Sequence, residues 1–251
     1  MLEVPRGNNY LVDGGSSSEN KVGTYRIMPY LKSQGISTLQ AVIVTHPDMD
    51  HLNGIIEILE AINDYQTSIR IRQFILPAWM AEDEDAQELR DLLGATHIPV
   101  AYVEAHDSIK DGEVLFDILN PNAPQYDDAN EGSLTFVLRY KEFAGVFTGD
   151  LCGQGETMVT EQIGECQFLK VAHHGSKNST ASEFLQIVKP KLSLISCGEH
   201  NLYGHPHQDL LERLEKVGSE VYITKDSGAT IIKTDGREEI KVQEFCPRTK
   251  N

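Results

Sequence analysis

The chain has 251 residues, with 38 Asp plus Glu against 22 Lys plus Arg, a formal net charge of −16 and 40% hydrophobic residues. That length suits one large α/β domain, and without an internal repeat or low-complexity linker residues 1–251 read as a single domain. The charge excludes a broad cationic footprint for nucleic acid or anionic lipid. No apolar run reaches the roughly 18–20 residues of a membrane span, and no signal-peptide core opens the chain. Four cysteines, Cys152, Cys166, Cys197 and Cys246, form neither a C-x-x-C pair nor a disulfide framework, so they do not fix the compartment.

In chain order, a first strand ends at Tyr10-Leu11-Val12 and delivers Asp13 beside Gly14-Gly15, where glycine lets a second backbone approach. A helix is predicted over 25–33. The apolar stretch 39–44 predicts a buried strand, and Leu52, Ile55, Ile56, Ile58 and Leu59 at helical spacing predict a helix over 52–62. Between them lies Thr45-His46-Pro47-Asp48-Met49-Asp50-His51, in the strand-to-helix loop where open α/β sheets place their chemistry. Further strands are expected over 69–76, 100–104, 114–119 and 133–140, with a helix over 86–93 and a solvated acidic helix face from Glu82 to Asp91. The segment 121–131 is one long polar loop of the kind that often serves a site. Strand 143–149 leads to Asp150, strand 168–172 to His173-His174-Gly175-Ser176, and strand 192–196 to Asn201-Leu202-Tyr203-Gly204-His205-Pro206-His207. Helices over 181–188 and 209–217 follow the last two. Strands over 221–224, 229–233 and 239–243, separated by Asp226-Ser227-Gly228 and Thr234-Asp235-Gly236, predict a terminal meander. Alternating strands and helices with some consecutive strands predict two mixed sheets flanked by helices, an αββα sandwich.

His46, Asp48, Asp50 and His51 offer two imidazoles and two carboxylates, more than one tetrahedral ion needs, which points to a two-metal cluster. The alternative for that string alone is a solvated acidic turn with incidental histidines. Repetition weighs against it, because five separate strand ends each carry His or Asp, usually beside glycine. Two divalent ions can bridge a water, lower its pKa and hold the attacking and leaving oxygens of a phosphoryl centre. Asp50 is a candidate for the catalytic centre itself, and Asp150 is the best candidate for the bridging ligand. Asp13 either orients ligands from behind or caps the Gly14-Gly15 amides. His205 either contacts phosphate or protonates a leaving oxygen, or else makes a helix N-terminal contact. Ser176 either donates to phosphate or caps its turn, and Tyr203 is either a base-stacking platform or a packed loop residue. Lys170, Lys177, Lys189 and Lys191 are read as surface lysines, and Cys152 as either a cleft residue or a small buried thiol.

The order of these motifs, Asp13-Gly14-Gly15, His46 to His51, Thr148-Gly149-Asp150, Lys170 to Ser176 and Asn201 to Pro206, resembles the metallo-β-lactamase superfamily. Within it, Asp48 in place of the usual second histidine, His-His-Gly-Ser and Tyr-Gly-His-Pro resemble the hydrolase domain of ComEC-type DNA-uptake channel proteins. The resemblance implies the αββα sandwich. It also implies that the fold's first strand is missing, because residues 3–9 look like the second half of a hairpin in a fragment cut from a longer membrane protein. An additional superfamily histidine is absent, with Asn130 and Ser133 in its region.

One metal position is then expected to see His46, Asp48 and Asp150, and the other Asp50, His51, Asp150 and a histidine of the 173/174 pair, His174 preferred over His173. Oxygen-rich ligation favours Mn over Zn, with Mg or Ca as other hard cations. The implied activity is a metal-dependent phosphodiesterase, a DNase of competence DNA uptake. Its implied partners are DNA, single-stranded or being unwound, and the channel portion of a longer protein. The implied location is the extracytoplasmic face of the cytoplasmic membrane, or the cytoplasm if the resemblance fails. Competing readings are a metallo-hydrolase of a small ester, lactone or phosphoester, and a weakly catalytic docking module of a membrane channel.

Overall fold

The computed structural model describes residues 1–246 except Arg6 and Glu238. Its first half contains β1 (Leu2–Glu3), β2 (Asn9–Val12), α1 (Met28–Ser33), β3 (Thr38–Leu39), β4 (Ala41–Ile43), α2 (Met49–Asn63), β5 (Arg70–Ile71), β6 (Phe74–Pro77), α3 (Gln87–Thr96) and β7 (Val100–Val103). Five of these strands make a sheet in the order β1-β2-β4-β6-β7, with β1 antiparallel to β2 and the others parallel. Every residue of β4 and β6 is buried, as a strand covered on both faces requires. The predicted strand over 69–76 divides, because β5 leaves to pair with β3 in a separate two-stranded ladder.

The second half contains β8 (Ser108–Asp111), β9 (Val114–Asn120), β10 (Thr135–Tyr140), β11 (Phe143–Phe147), α4 (Gly153–Ile163), β12 (Phe168–Lys170), α5 (Ser182–Val188), β13 (Leu192–Ile195), α6 (Gln208–Lys216), β14 (Glu220–Ile223), α7 (Thr224–Ser227), β15 (Thr230–Thr234) and β16 (Ile240–Glu244). Its seven-stranded sheet runs β14-β13-β12-β11-β10-β9-β8, parallel from β14 to β11 and antiparallel thereafter.

Three apolar layers make this the expected αββα sandwich. Between the sheets, Tyr10, Ala41, Ile43 and Ile75 meet Val114, Phe116, Ile118, Leu134 and Phe136. Outside the first sheet, Leu31, Leu52, Ile55, Leu59, Leu89 and Leu93 of the helices cover Val42, Phe74 and Leu76. Outside the second, Val159, Ile163, Phe184, Leu185, Leu210 and Leu214 cover Val137, Val146, Leu169 and Ile195. Truncating a fully buried ring such as Phe136 to alanine is expected to cost about 3–5 kcal/mol. Among the described residues no helix is long and apolar enough to cross a membrane.

Three expectations are corrected, and one element was not foreseen. The terminal meander does not form: β14 joins the main sheet parallel to β13, Asp226 and Ser227 lie in α7, and only β15 and β16 pair as a hairpin, packed on Phe143, Phe168 and Leu192. The acidic run from Glu82 is not one helix face, since α3 begins at Gln87, while Glu82, Asp83 and Glu84 line a cavity of about 790 Å³ beside the 121–127 loop. Helix α4 has no counterpart in the sequence reading. Residues 3–9 hold the turn between β1 and β2 rather than one half of a hairpin, closed by Val4 N–H to Asn8 O (3.0 Å); Arg6 within that stretch lies outside the described residues.

Candidate metal centre

Parallel strands β2, β4, β11, β12 and β13 all run toward the same edge of the sandwich, so the loops at their carboxyl ends gather in one cleft. After β2, Asp13 sits at φ 50° with its carboxylate braced three ways. Oδ1 accepts the Thr45 N–H (2.8 Å), Oδ2 accepts the Thr45 hydroxyl (2.8 Å), and Oδ2 lies 2.9 Å from His51 Nδ1. Its neighbour Gly14 donates its N–H to His51 O (2.9 Å), so Asp13 does not cap that amide. Gly15 is needed beside it, because a Cβ there would collide with the Asp50 carbonyl at the start of α2.

This bracing fixes ring tautomers. A carboxylate at Nδ1 keeps a proton on that nitrogen of His51, so the neutral ring turns its Nε2 lone pair into the cleft. The Thr45 hydroxyl spends its proton on Asp13, so toward His46 Nδ1, 3.0 Å away, it accepts, and His46 Nε2 is bare as well. His174 Nδ1 lies 2.8 Å from the Ser196 carbonyl, which only accepts, and again Nε2 is left bare. With the rings neutral, as metal binding requires, three lone pairs therefore enter one cleft, and the His51 and His174 Nε2 atoms stand 3.2 Å apart. Two bare nitrogens that close require a positive charge near them, a shared proton or a cation.

The carboxylates complete the set. Asp150 is buried, its N–H held by the Ser133 hydroxyl (3.1 Å), with Oδ1 3.3 Å from His51 Nε2 and Oδ2 3.6 Å from His174 Nε2. Asp50 Oδ2 lies 3.4 Å from His174 Nε2. Donor atoms of His46, His51 and Asp150 lie within 4.8 Å of one another, as do those of Asp50, His51 and His174. This grouping differs from the expected one, since His51 belongs to both sets and Asp48, half-exposed, approaches only His46 Nε2, at 3.5 Å. The fold family implied by the motifs carries divalent metal, and the donor set fits it. His46 Nε2 and Asp150 Oδ1 are both buried without a hydrogen bond, as atoms reserved for a cation would be.

Charge follows from these neighbours. Burial opposes ionisation of both Asp150 and His51, yet His51, His174 and His46 hold the Asp150 carboxyl well below its usual range, while Asp150 and Asp13 hold His51 well above its own. The approach of the His174 ring leads in lowering Asp50.

The remaining histidines are placed by strained backbone. His173 and His174 have φ of 47° and 52°, and Gly175 follows at 90°; such conformations cost non-glycine residues about 1–3 kcal/mol each. Neighbouring helices hold this turn. Buried Glu156 of α4 accepts the N–H groups of Thr180 and Ala181 (2.7 Å for the latter), and Arg213 of α6 donates to the carbonyls of Lys177 (3.1 Å), Ser179 (2.9 Å) and Thr180 (3.1 Å). Neither Glu156 nor Arg213 was singled out in the sequence; the one available signal was a pair of ordinary charges on amphipathic helices. His174 is nearer the cluster than His173, whose Nε2 lies 4.0 Å from Asp150.

His205 is buried against this turn, its ring centroid 5.8 Å from that of His173 and 6.5 Å from that of His174. Burial, reinforced by the imidazoles of His207, His173 and His174, pushes its pKa down to about 4, so the ring is neutral at pH 7. Tyr203 is not a packed loop residue, being 67% exposed. Ser176 is buried in its turn, where its hydroxyl accepts the Asn178 N–H (3.3 Å), a capping position rather than one on the open face. Lys170 departs from the surface-lysine reading; it is partly buried, and its ammonium folds back onto Val171 O (3.0 Å). Cys152, immediately before α4, has its thiol pushed up to about 12, by burial first and then by Asp128 and Glu131, and is therefore no ready thiolate.

The chain belongs to the metallo-β-lactamase superfamily, whose profile matches residues 1–200. Within that class it is similar to ComE operon protein 3 of Bacillus subtilis (strain 168), 31% identical over 209 residues, which are 82% of this chain and 26% of that protein. Recombination protein 2 of Haemophilus influenzae is 28% identical over 228 residues, 90% of this chain and 26% of that protein. Competence protein ComA of Neisseria gonorrhoeae is 27% identical over 232 residues, 91% and 30% respectively. The chain thus spans under a third of the length of these relatives. Among solved structures, the metallo-β-lactamase fold protein YhfI from Bacillus subtilis superposes with a TM-score of 0.56 at 17% identity, over 85% of this chain and 83% of that one. CmlA, a diiron β-hydroxylase from Streptomyces venezuelae, gives 0.54 at 13%, over 83% and 45%. At these identities the likeness shows the fold alone.

Proposed function

We propose that this chain is a divalent-metal-dependent phosphodiesterase that cleaves DNA, and that it works in competence DNA uptake beside the channel portion of a longer protein at the extracytoplasmic face of the cytoplasmic membrane. The observation that carries the metal chemistry is the convergence of three Nε2 atoms on the carboxylates Asp50 and Asp150. Similarity to competence proteins supports the substrate and the setting.

His46, His51 and Asp150 would hold one ion, joined by Asp48. Asp50, His51 or Asp150, and His174, with His173 as its alternative, would hold the second. When bound, such ions supply an activated water and charge stabilisation for the pentavalent phosphoryl centre. The chain's own residues do the rest. Asp13 and Thr45 keep His51 and His46 turned with lone pairs inward, and the Ser196 carbonyl does the same for His174. His205, a neutral ring beside that set, offers a hydrogen bond to a phosphoryl or leaving oxygen rather than a cation. Oxygen from Asp48, Asp50 and Asp150 suits Mn or Mg better than Zn.

The test is cleavage of oligonucleotides by metal-stripped protein reloaded with Mn, Mg or Zn, with metal content measured in parallel. Mn is expected to restore the fastest cleavage and EDTA to abolish both cleavage and DNA binding. Stoichiometric Zn in fully active protein, or tight DNA binding in EDTA, would count against this reading.

A further inference from the structure

Three rings lead out of the cleft in near-parallel order. The centroids of His174 and His205 are 6.5 Å apart with 22° between planes, and those of His205 and Tyr203 are 5.7 Å apart with 25°. The column starts at a member of the metal donor set and ends on an aromatic face in solvent, since Tyr203 is 67% exposed and its neighbour Leu202 97%. This is no slack loop end. Asn201 donates to the carbonyls of Gly198 (2.8 Å) and His205 (2.9 Å) and accepts the His205 N–H (2.7 Å), and the Lys225 ammonium reaches His205 O (3.3 Å). A buckled loop thus holds a large ring outward that simple burial would favour turning in.

Charge supports the same face. The Lys225 ammonium at His205 O places a cation beside the ring column. Glu82, Asp83, Glu84, Glu104 and Asp127 line the cavity of about 790 Å³, whose lining includes none of these rings. A polyanion is attracted by the first and repelled by the second.

We propose that the outer face of Tyr203 receives an unpaired nucleobase next to the scissile phosphate, so that the site accepts single-stranded or frayed DNA and discriminates against an intact duplex. Inside a duplex both faces of each base are already stacked, whereas a single-stranded base has a face to offer. This rests on the DNA phosphodiesterase reading.

The experiment compares kcat/KM of the Mn-loaded chain on a single-stranded oligothymidylate with that on an oligomer of abasic sites of equal length. In the native chain the ratio favours bases. Tyr203→Ala is expected to lower the ratio about 5- to 150-fold, the range for loss of one base–aromatic stack, mainly through KM, and Tyr203→Trp to restore it. Calorimetric Mn binding by each variant checks that the centre is intact. An unchanged ratio in Tyr203→Ala overturns the inference while leaving the phosphodiesterase reading standing. A native chain inert on both oligomers overturns both.

Discussion

His51 and His205 lie in the same cleft and carry opposite electrostatic instructions. Around His51 stand the carboxylates of Asp13 and Asp150, and the ring is held far above its ordinary pKa; around His205 stand other imidazoles, and burial holds it down at about 4. One side of the cleft is therefore a floor that suits cations and the other a wall of imidazoles around a neutral His205. Imidazole identity decides neither; the neighbours do.

The largest test of the floor is loss of a carboxylate. Asp150→Asn or Asp50→Asn keeps shape and removes charge, and hydrolysis is expected to fall by about 10³-fold or more with an unchanged circular dichroism spectrum. Near-native turnover in either variant would remove that residue from the centre. Next comes Asp13→Asn, which touches the floor only through His51 and Thr45. Metal affinity by calorimetry should weaken about 10- to 100-fold, and the His51 titration, followed by NMR in metal-free protein, should move down.

A third prediction opposes proton and metal. In metal-free protein the raised pKa of His51 gives stability that is fully present below about pH 6.5, its unfolded value, and is lost as pH rises through the folded value. Depressed Asp150 and Asp50 act at the other end, contributing above about pH 4 and losing that contribution as pH falls through their folded values. Thermal melts of stripped protein should therefore weaken from neutral to alkaline pH, while Mn affinity strengthens over the same interval because the metal displaces the proton. Parallel trends in the two measurements would separate His51 from the metal. The smallest effect is expected at the wall: His205→Gln should reduce kcat about three- to tenfold, the worth of one hydrogen bond, without introducing or removing a limb near pH 6.5 in the rate profile.

The floor was legible in the sequence because it is local. His46, Asp48, Asp50 and His51 occupy one turn between an apolar strand and an apolar helix face, and Asp13 and Asp150 mark strand ends by their glycines. Which donors group together was not legible, since sharing of His51 depends on the loops after β11 and β12 of the other sheet, which bring Asp150 and His174 to it from distant sequence. Helix α4 was hidden for a different reason: two glycines open it, and its buried positions include Glu156 and Thr160, which read as surface. Asp226-Ser227-Gly228 misled because a turn signal ends helices as readily as it joins strands, and the parallel pairing of β14 with β13 is long-range. Lys170 read as surface by its charge alone, yet it sits between buried Leu169 and Val171.

The brace formed by Glu156 and Arg213 bears on anyone who would transplant this centre. The His173-His174-Gly175-Ser176 tetrad is short enough to copy onto another α/β scaffold, but its left-handed backbone is uphill and stays put because two helices from elsewhere in the chain clasp the residues just beyond it. A graft limited to the ligands would relax toward ordinary helical or extended angles and scatter the imidazoles. The transferable unit is the tetrad together with the carboxylate and guanidinium that grip residues 177–181, a module dispersed over nearly sixty positions of sequence.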